Sequence, residues 1–294
     1  MSSDVLVVIG VGGMGRAIAR RLGAGKIVIL ADFDVSTLHT SAAALSDDGY
    51  DVHAQPVDVA SSASVASLIH AAQSRGPVRQ LAHTAGLSPS QASTERVLAV
   101  DLLGVALIVD AFGEVIGTGG AGVVVASMAG HMVPPLPAEH AHALATAAPK
   151  DLLSLPFINA IDDPGWAYGI AKQANLLRVQ AASRLWGQRN ARVNSVSPGI
   201  ISTPMGRAEL DTPLGEGMRA MVAASPAKRL GTPEDIAAAA AFLLGPEASF
   251  ITGTDLLVDG GVVAATRNAS KCLGQESQRP VSASRRENPY FQAD

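Results

Sequence analysis

Five consecutive apolar residues, Val5–Ile9, run directly into Gly10-Val11-Gly12-Gly13-Met14-Gly15, and Ala17–Leu22 follows with helical character. A short β-branched run without polar alternation is the pattern of a strand covered on both faces, as in a parallel sheet. The glycines allow a tight turn and let another backbone or a ligand approach closely. A helix that starts there offers uncapped N–H groups and the positive end of its dipole to an anion, above all a phosphate. Glycine-rich turns are common, so the string gains weight only from the strand before it and the helix after it.

The same alternation continues down the chain. Lys26–Ala31 reads as a second strand, Val35–Leu45 as a helix, Val52–Val57 as a third strand and Ser61–Ser74 as a helix. Gln80–Thr84 opens a fourth strand. Arg96–Ile116 has apolar residues at three- and four-residue spacing and reads as one long helix. Gly122–Ala126 is a valine-rich strand, Trp166–Trp186 a helix, Arg192–Val196 a strand, Pro233–Leu244 a helix opened by Thr232 and Pro233, and Asp255–Val258 a last strand. Repeated strand–helix–strand units imply an α/β fold: a single-domain, Rossmann-type, doubly wound parallel sheet over residues 1–263.

Two stretches break the rhythm. Residues 131–165 lie between the fifth strand and the next long helix, and within them 138–147 has the character of a short helix. Residues 264–294 are polar and aperiodic and read as a tail. Glu287-Asn288-Pro289-Tyr290-Phe291-Gln292 within it resembles a viral-protease cleavage tag with Pro in place of Leu; a natural tail is the other reading.

Composition narrows the function. Apolar residues make up 48% and the net charge is −4, with no basic stripe, so nucleic acid is not an expected partner. The one cysteine, Cys272, rules out an intrachain disulfide and a zinc site built on several thiolates. His131, His140 and His142 form no metal-ligand constellation and are taken as surface or packing residues. No signal peptide or membrane span is legible, so a cytoplasmic protein is expected.

The acidic residue ending the second strand, Asp32, stands 17 positions after Gly15 (32 − 15), with Phe33 beside it. A carboxylate there accepts hydrogen bonds from both ribose hydroxyls of a dinucleotide's adenosine and repels a 2′-phosphate, so NAD is favoured over NADP. Capping the next helix is the other task open to it; Asp34 is placed for that. Asp58-Val59, at the end of the third strand, either approaches the adenine or caps the Ser61 helix. Tyr168 and Lys172 are four apart on one helix and so lie on one face. An ammonium beside a phenol stabilises phenolate and draws the tyrosine toward a working general base. Ser127 closes the fifth strand at the carboxyl edge, where α/β sites lie. It reads as a hydrogen-bonding partner of a substrate oxygen or as a turn residue.

Over residues 4–263 the chain resembles the short-chain dehydrogenase/reductase family. The strings that carry the resemblance are the glycine turn, His83-Thr84-Ala85-Gly86, Ala126-Ser127-Met128-Ala129-Gly130, Tyr168–Lys172, Arg192-Val193-Asn194-Ser195-Val196-Ser197-Pro198-Gly199, Thr203-Pro204-Met205 and Val258-Asp259-Gly260-Gly261. The resemblance implies that Ser127 holds the carbonyl, Tyr168 transfers the proton, and Lys172 tunes Tyr168 and binds the nicotinamide ribose. It implies a pyrophosphate site at Gly10, Gly12, Gly13, Met14 and Gly15. Ala85 and Gly86 would line the adenosine-ribose side, and Pro198, Gly199, the Ile201 backbone and Thr203 the carboxamide end. The expected partners are a small alcohol or ketone, hydrophobic or steroid-like, and further copies of the chain in a dimer or tetramer. A dinucleotide-binding redox sensor with little turnover is the alternative.

Three features depart from the family pattern. Where the family commonly has Asn in a string like Val-Asn-Leu-x-Gly, this chain has Val100-Asp101-Leu102-Leu103-Gly104. The family Asn is thought to hold a relay water through its main-chain carbonyl, so Asp101 is expected to keep the carbonyl with a changed side chain. The glycine turn is one residue short and lacks a preceding Thr. Ser127 and Tyr168 are 41 residues apart (168 − 127) where about a dozen is usual. An insertion there is similar to that of bacterial 3α-hydroxysteroid dehydrogenase/carbonyl reductases, and Pro204–Leu210 reads as the short connection of that subgroup. Residues 152–158 make a substrate lid the other reading of the insertion. The apolar content of Met205–Leu230 predicts few charges facing a bound substrate.

Overall fold

Apolar strands with no solvated face need helices on both sides, and that is what the chain builds. The computed structural model describes residues 3–267. Seven strands form one all-parallel sheet in the order β3-β2-β1-β4-β5-β6-β7. In chain order, β1 (Val5–Ile9) leads to α1 (Gly13–Leu22), β2 (Ile27–Asp32), α2 (Val35–Asp47), β3 (Asp51–Pro56), α3 (Ser62–Gln73) and β4 (Val78–His83). The chain has then wound outward through β2 and β3 and crossed back to pair β4 with the other edge of β1. A crevice opens at the carboxyl ends of strands where the winding reverses in this way.

The second half supplies α4 (Thr94–Val97), a π-helical stretch Leu98–Gly104, α5 (Val105–Val115) and β5 (Ala121–Val125). Then come the short helices α6 (Ala129–Met132), α7 (Ala138–Thr146), α8 (Pro149–Leu152) and α9 (Pro156–Asn159), and the long α10 (Pro164–Gly187). β6 (Arg192–Pro198), α11 (Pro204–Leu210), α12 (Gly215–Ala224), α13 (Pro233–Leu244) and β7 (Asp255–Val258) complete the order.

Several sequence expectations shift here. The expected single helix Arg96–Ile116 is α4 and α5 joined by the π-helical stretch, because a widened turn leaves apolar spacing almost unchanged. Pro204–Leu210 is a helix rather than a connection, with Thr203 accepting from the Gly206 N–H at its start. α10 begins at Pro164, since the Asp163 carboxylate accepts from the Trp166 N–H and proline suits the first turn. Residues 262–267 are helical, so regular structure reaches past the expected tail boundary at 264; the tag-like string and Cys272 lie outside the described residues.

Two apolar clusters cover the two faces of the sheet, one under α3, α5 and α10 and one under α1, α2 and α13. A third joins the insertion to the long helix: Leu144, Leu152 and Ile158 pack with Ala167, Ile170, Ala171 and Ala174. Buried Arg178 of α10 pairs with Asp110 of α5 and donates to the Ala147 carbonyl at 2.6 Å, a second tie to the insertion. No helix among the described residues is long and apolar enough to cross a membrane.

Candidate active site

The turn after β1 has the geometry its glycines suggest. Gly10 sits at φ +86°, and a Cβ there would run into the Ala85 backbone. A Cβ on Gly15 would strike the Gly10 carbonyl, so Gly15 serves to bring α1 against β1 and does not itself border the cleft. Gly12, by contrast, faces open space. It precedes α1 without any side-chain cap, which leaves the helix's first N–H groups turned to the crevice.

That crevice is a cleft of about 640 Å³ at the reversal between β1 and β4. Gly10, Gly12, Gly13 and Met14 form one wall, Asp32, Phe33, Asp58 and Val59 the far end, and Asp101, Tyr168, Lys172 and Thr203 the near end, with Ala85 and Gly86 also in the lining. The Asp32 carboxylate is braced by the Val11 N–H at 2.7 Å and the Asp34 N–H at 2.9 Å. Asp34 caps α2, accepting from the Ser36 and Thr37 N–H groups. Ser61 caps α3, so Asp58 is not that cap; it accepts from the Ala60 N–H at 3.0 Å and remains at the cleft. The uncapped glycine wall, the open space at Gly12 and the braced carboxylate fit a dinucleotide lying along the cleft.

Sequence reasoning missed two contributors to this wall. Arg96 stacks its guanidinium over the exposed Phe33 ring, 5.8 Å from the centroid, and Thr84 donates to the Gly10 carbonyl at 2.6 Å. Thr84 stood inside a quoted motif; Arg96 carried no signal, because only the fold brings it to Phe33.

Tyr168 and Lys172 share one face of α10, with the lysine Nζ 5.4 Å from the tyrosine ring centre. Ser127, just past β5, lies close enough to the Tyr168 hydroxyl to favour its phenolate and accepts from the Ala129 N–H at 3.1 Å. Lys172 is also paired with Asp101 at 2.8 Å, both side chains being almost wholly buried. The expected lowering of the Tyr168 pKa is offset in this chain. Burial pushes the phenol up, the Lys172 ammonium pulls it down, and the Asp101 carboxylate pushes it up again. Lys172 is held above its ordinary value, the Asp101 and Tyr168 charges outweighing its burial.

Pro198, Gly199 and Ile201 stand behind the near end of the cleft rather than on its surface. The Pro198 carbonyl accepts from the Met128 N–H at 2.8 Å, the Gly199 N–H donates to Val258, and Ile201 pairs with Gly231. Thr203 reaches across to the glycine turn and packs on Gly13. Two expectations change. His131 is not simply a surface or packing residue: its Nε2 lies 2.7 Å from the Asp255 carboxylate, which also accepts from Ser195 and Ser197. The segment after the cleft is not free of charge either. Glu209 accepts from the Ser88 hydroxyl and lies close enough to push Tyr168 up. No residue of 131–165 is among those lining the cleft, and Leu152 and Ile158 are buried against α10.

The comparisons decide the family. A model described as short chain dehydrogenase matches residues 4–140, and one described as enoyl-(acyl carrier protein) reductase matches residues 154–263. The short-chain dehydrogenase/reductase bsc3 of Alternaria brassicicola is 42% identical over 266 residues, covering 90% of this chain and 97% of that protein. The chain belongs to the short-chain dehydrogenase/reductase family. It is therefore an oxidoreductase, in a family that binds a nicotinamide dinucleotide, NAD or NADP. Among other short-chain dehydrogenases, 3-alpha-hydroxysteroid dehydrogenase/carbonyl reductase of Comamonas testosteroni is 31% identical over 192 residues, 62% of this chain and 72% of that one. The structure of the 3-alpha-hydroxysteroid dehydrogenase of Pseudomonas sp. B-0831 with NADH superposes with a TM-score of 0.72 at 29% identity, covering 90% of this chain and 99% of that one.

Proposed function

We propose that the chain interconverts a secondary alcohol and a ketone with NAD(H), acting on a hydrophobic or steroid-like substrate. The observation that carries this reading is convergence: Tyr168 and Lys172, with Ser127 beside Tyr168, stand at one end of a cleft that runs along the glycine turn to Asp32. The dinucleotide, when bound, supplies or accepts the hydride at its nicotinamide ring. Tyr168 gives the proton to the carbonyl oxygen in reduction and takes it from the hydroxyl in oxidation. Ser127 holds and polarises that oxygen, and Lys172 binds the nicotinamide ribose. Gly10, Gly12, Gly13, Met14 and Gly15 form the pyrophosphate turn, and Asp58, Val59, Ala85 and Gly86 line the adenosine side. Pro198, Gly199, the Ile201 backbone and Thr203 hold the carboxamide end. We place residues 1–263 in one catalytic domain that works in the cytoplasm as a dimer or tetramer.

Asp32 supports NAD over NADP, because its carboxylate occupies the place a 2′-phosphate needs. Asp32→Asn removes the charge and keeps one acceptor, so the Val11 N–H retains its partner while the Asp34 N–H loses its own. The ratio of kcat/KM for NADP(H) over NAD(H) should rise at least tenfold, or about 1.4 kcal/mol. An unchanged ratio removes Asp32 from cofactor selection. The reading as a whole is tested with a panel of cyclic and steroidal ketones and secondary alcohols, following NADH absorbance. Turnover of several of them with NAD(H) supports it; tight NADH binding without turnover of any favours a redox sensor.

A further inference from the structure

The buried ion pair beside Tyr168 is the feature of this site that the glycine turn and the Tyr168–Lys172 spacing do not explain. Asp101 comes from the π-helical stretch, and its Oδ1 lies 2.8 Å from Lys172 Nζ. Its Oδ2 accepts from the Leu87 N–H at 2.9 Å, which fixes the carboxylate in place. The neighbouring loop leaves room for this: a Cβ on Gly86 would come within 2.6 Å of Asp101 Oδ1 and 3.2 Å of Lys172 Nζ. A charge pair this deep is held apart from water, so each partner's field on a third group is only weakly screened.

That third group is Tyr168. The charged and titratable groups around it come from every element packed on it: Lys172 from its own helix, Asp101 from the π-helical stretch, Ser127 from beyond β5 and Glu209 from α11. His83, at the end of β4, is buried near Lys172 with neither ring nitrogen bonded among the described residues, and burial followed by Lys172 lowers it to about 3, so it stays neutral. Asp101 is thus the group that balances the lysine.

We propose that Asp101 is a positioning residue that sets the charge on the proton-transferring pair: by holding the Lys172 ammonium in a buried ion pair, its carboxylate cancels part of the field that would draw the proton off Tyr168. Burial, the larger influence, and this carboxylate act in the same direction, so the phenol stays protonated at neutral pH. A protonated tyrosine is the acid that carbonyl reduction needs, whereas alcohol oxidation needs phenolate. Reduction therefore holds its rate through neutrality, and the oxidation rate climbs as the pH rises. This inference rests on the reading of Tyr168 as the proton-transferring group.

The test is the ionisation of Tyr168 itself, read by NMR of protein labelled at the tyrosine Cζ. The chain has three tyrosines, and loss of one signal in Tyr168→Phe assigns it. In the parent protein Tyr168 should remain a phenol to about pH 10 or beyond, the range of ordinary tyrosine. In Asp101→Asn, which keeps the side chain's shape, the transition should move down by at least about one pH unit, giving roughly tenfold more phenolate at any pH below it. The rising limb of kcat for alcohol oxidation should move with it, and reduction should lose rate at its alkaline end. A Tyr168 transition unmoved by Asp101→Asn overturns the proposal. If that variant does not fold, the parent protein decides: ionisation below the ordinary tyrosine range overturns the proposal, and ionisation within or above it sustains it. Full turnover in Tyr168→Phe would instead sink the catalytic reading, while the NMR shift would still report on the ion pair.

Discussion

Tyr168→Phe should lower turnover by about 10²–10⁴-fold, the range that one positioned general acid or base contributes. The variant deletes a single oxygen. The ring stays against the cluster that joins α10 to the insertion, so the helix and the cleft walls keep their shape. The glycine turn and Asp32 lie along the cleft from it, and NADH should bind with nearly unchanged affinity. Stopped assays with a ketone substrate and fluorescence titration with NADH separate the two effects. Retention of most of the activity would take Tyr168 out of the reaction.

The largest loss of stability is expected at Trp186. Its side chain is wholly buried at the end of α10, and its Nε1–H donates to the Val109 carbonyl at 3.0 Å. The ring lies over Gly122 of β5, where a Cβ would come 2.5 Å from Cη2, and beside Gly113 of α5. Helix, helix and strand therefore meet on one indole with no room to close in after its removal. Trp186→Ala should cost about 3–5 kcal/mol, the usual toll of truncating a large buried aromatic. Against the ~5–15 kcal/mol that holds a domain folded, that leaves a marginal protein. Urea unfolding measures it; a loss under about 1 kcal/mol would mean that the neighbouring elements collapse into the gap.

What was legible in the sequence follows from how local each signal is. β1 and β5 could be read because parallel strands buried on both faces leave continuous apolar runs. The Thr232–Pro233 start of α13 could be read because a capping box is written in four adjacent residues. The edges of β2 and β3 moved by one residue, since polar residues close both strands. The π-helical stretch left no trace, because one widened turn hardly disturbs a helical pattern. At the site, Tyr168 with Lys172 was legible as a pair on one helix. Asp101 was expected to act through its main chain, and the structure instead puts its carboxylate on Lys172. His131 with Asp255, Arg96 with Phe33 and Glu209 with Ser88 are meetings between distant parts of the chain, which no local pattern encodes.

The excursion before α10 bears on how the enzyme fails when heated. Its apolar residues and those of the first half of the catalytic helix make one patch that shares no member with the two clusters flanking the sheet, although the second half of that helix packs in one of them. Such a patch can open as a unit of its own, at less cost than global unfolding. Once it opens, the helix carrying Tyr168 loses its outer support while the strands remain paired. Warming should therefore silence the enzyme several degrees before circular dichroism registers any loss of the sheet, with activity returning on prompt cooling.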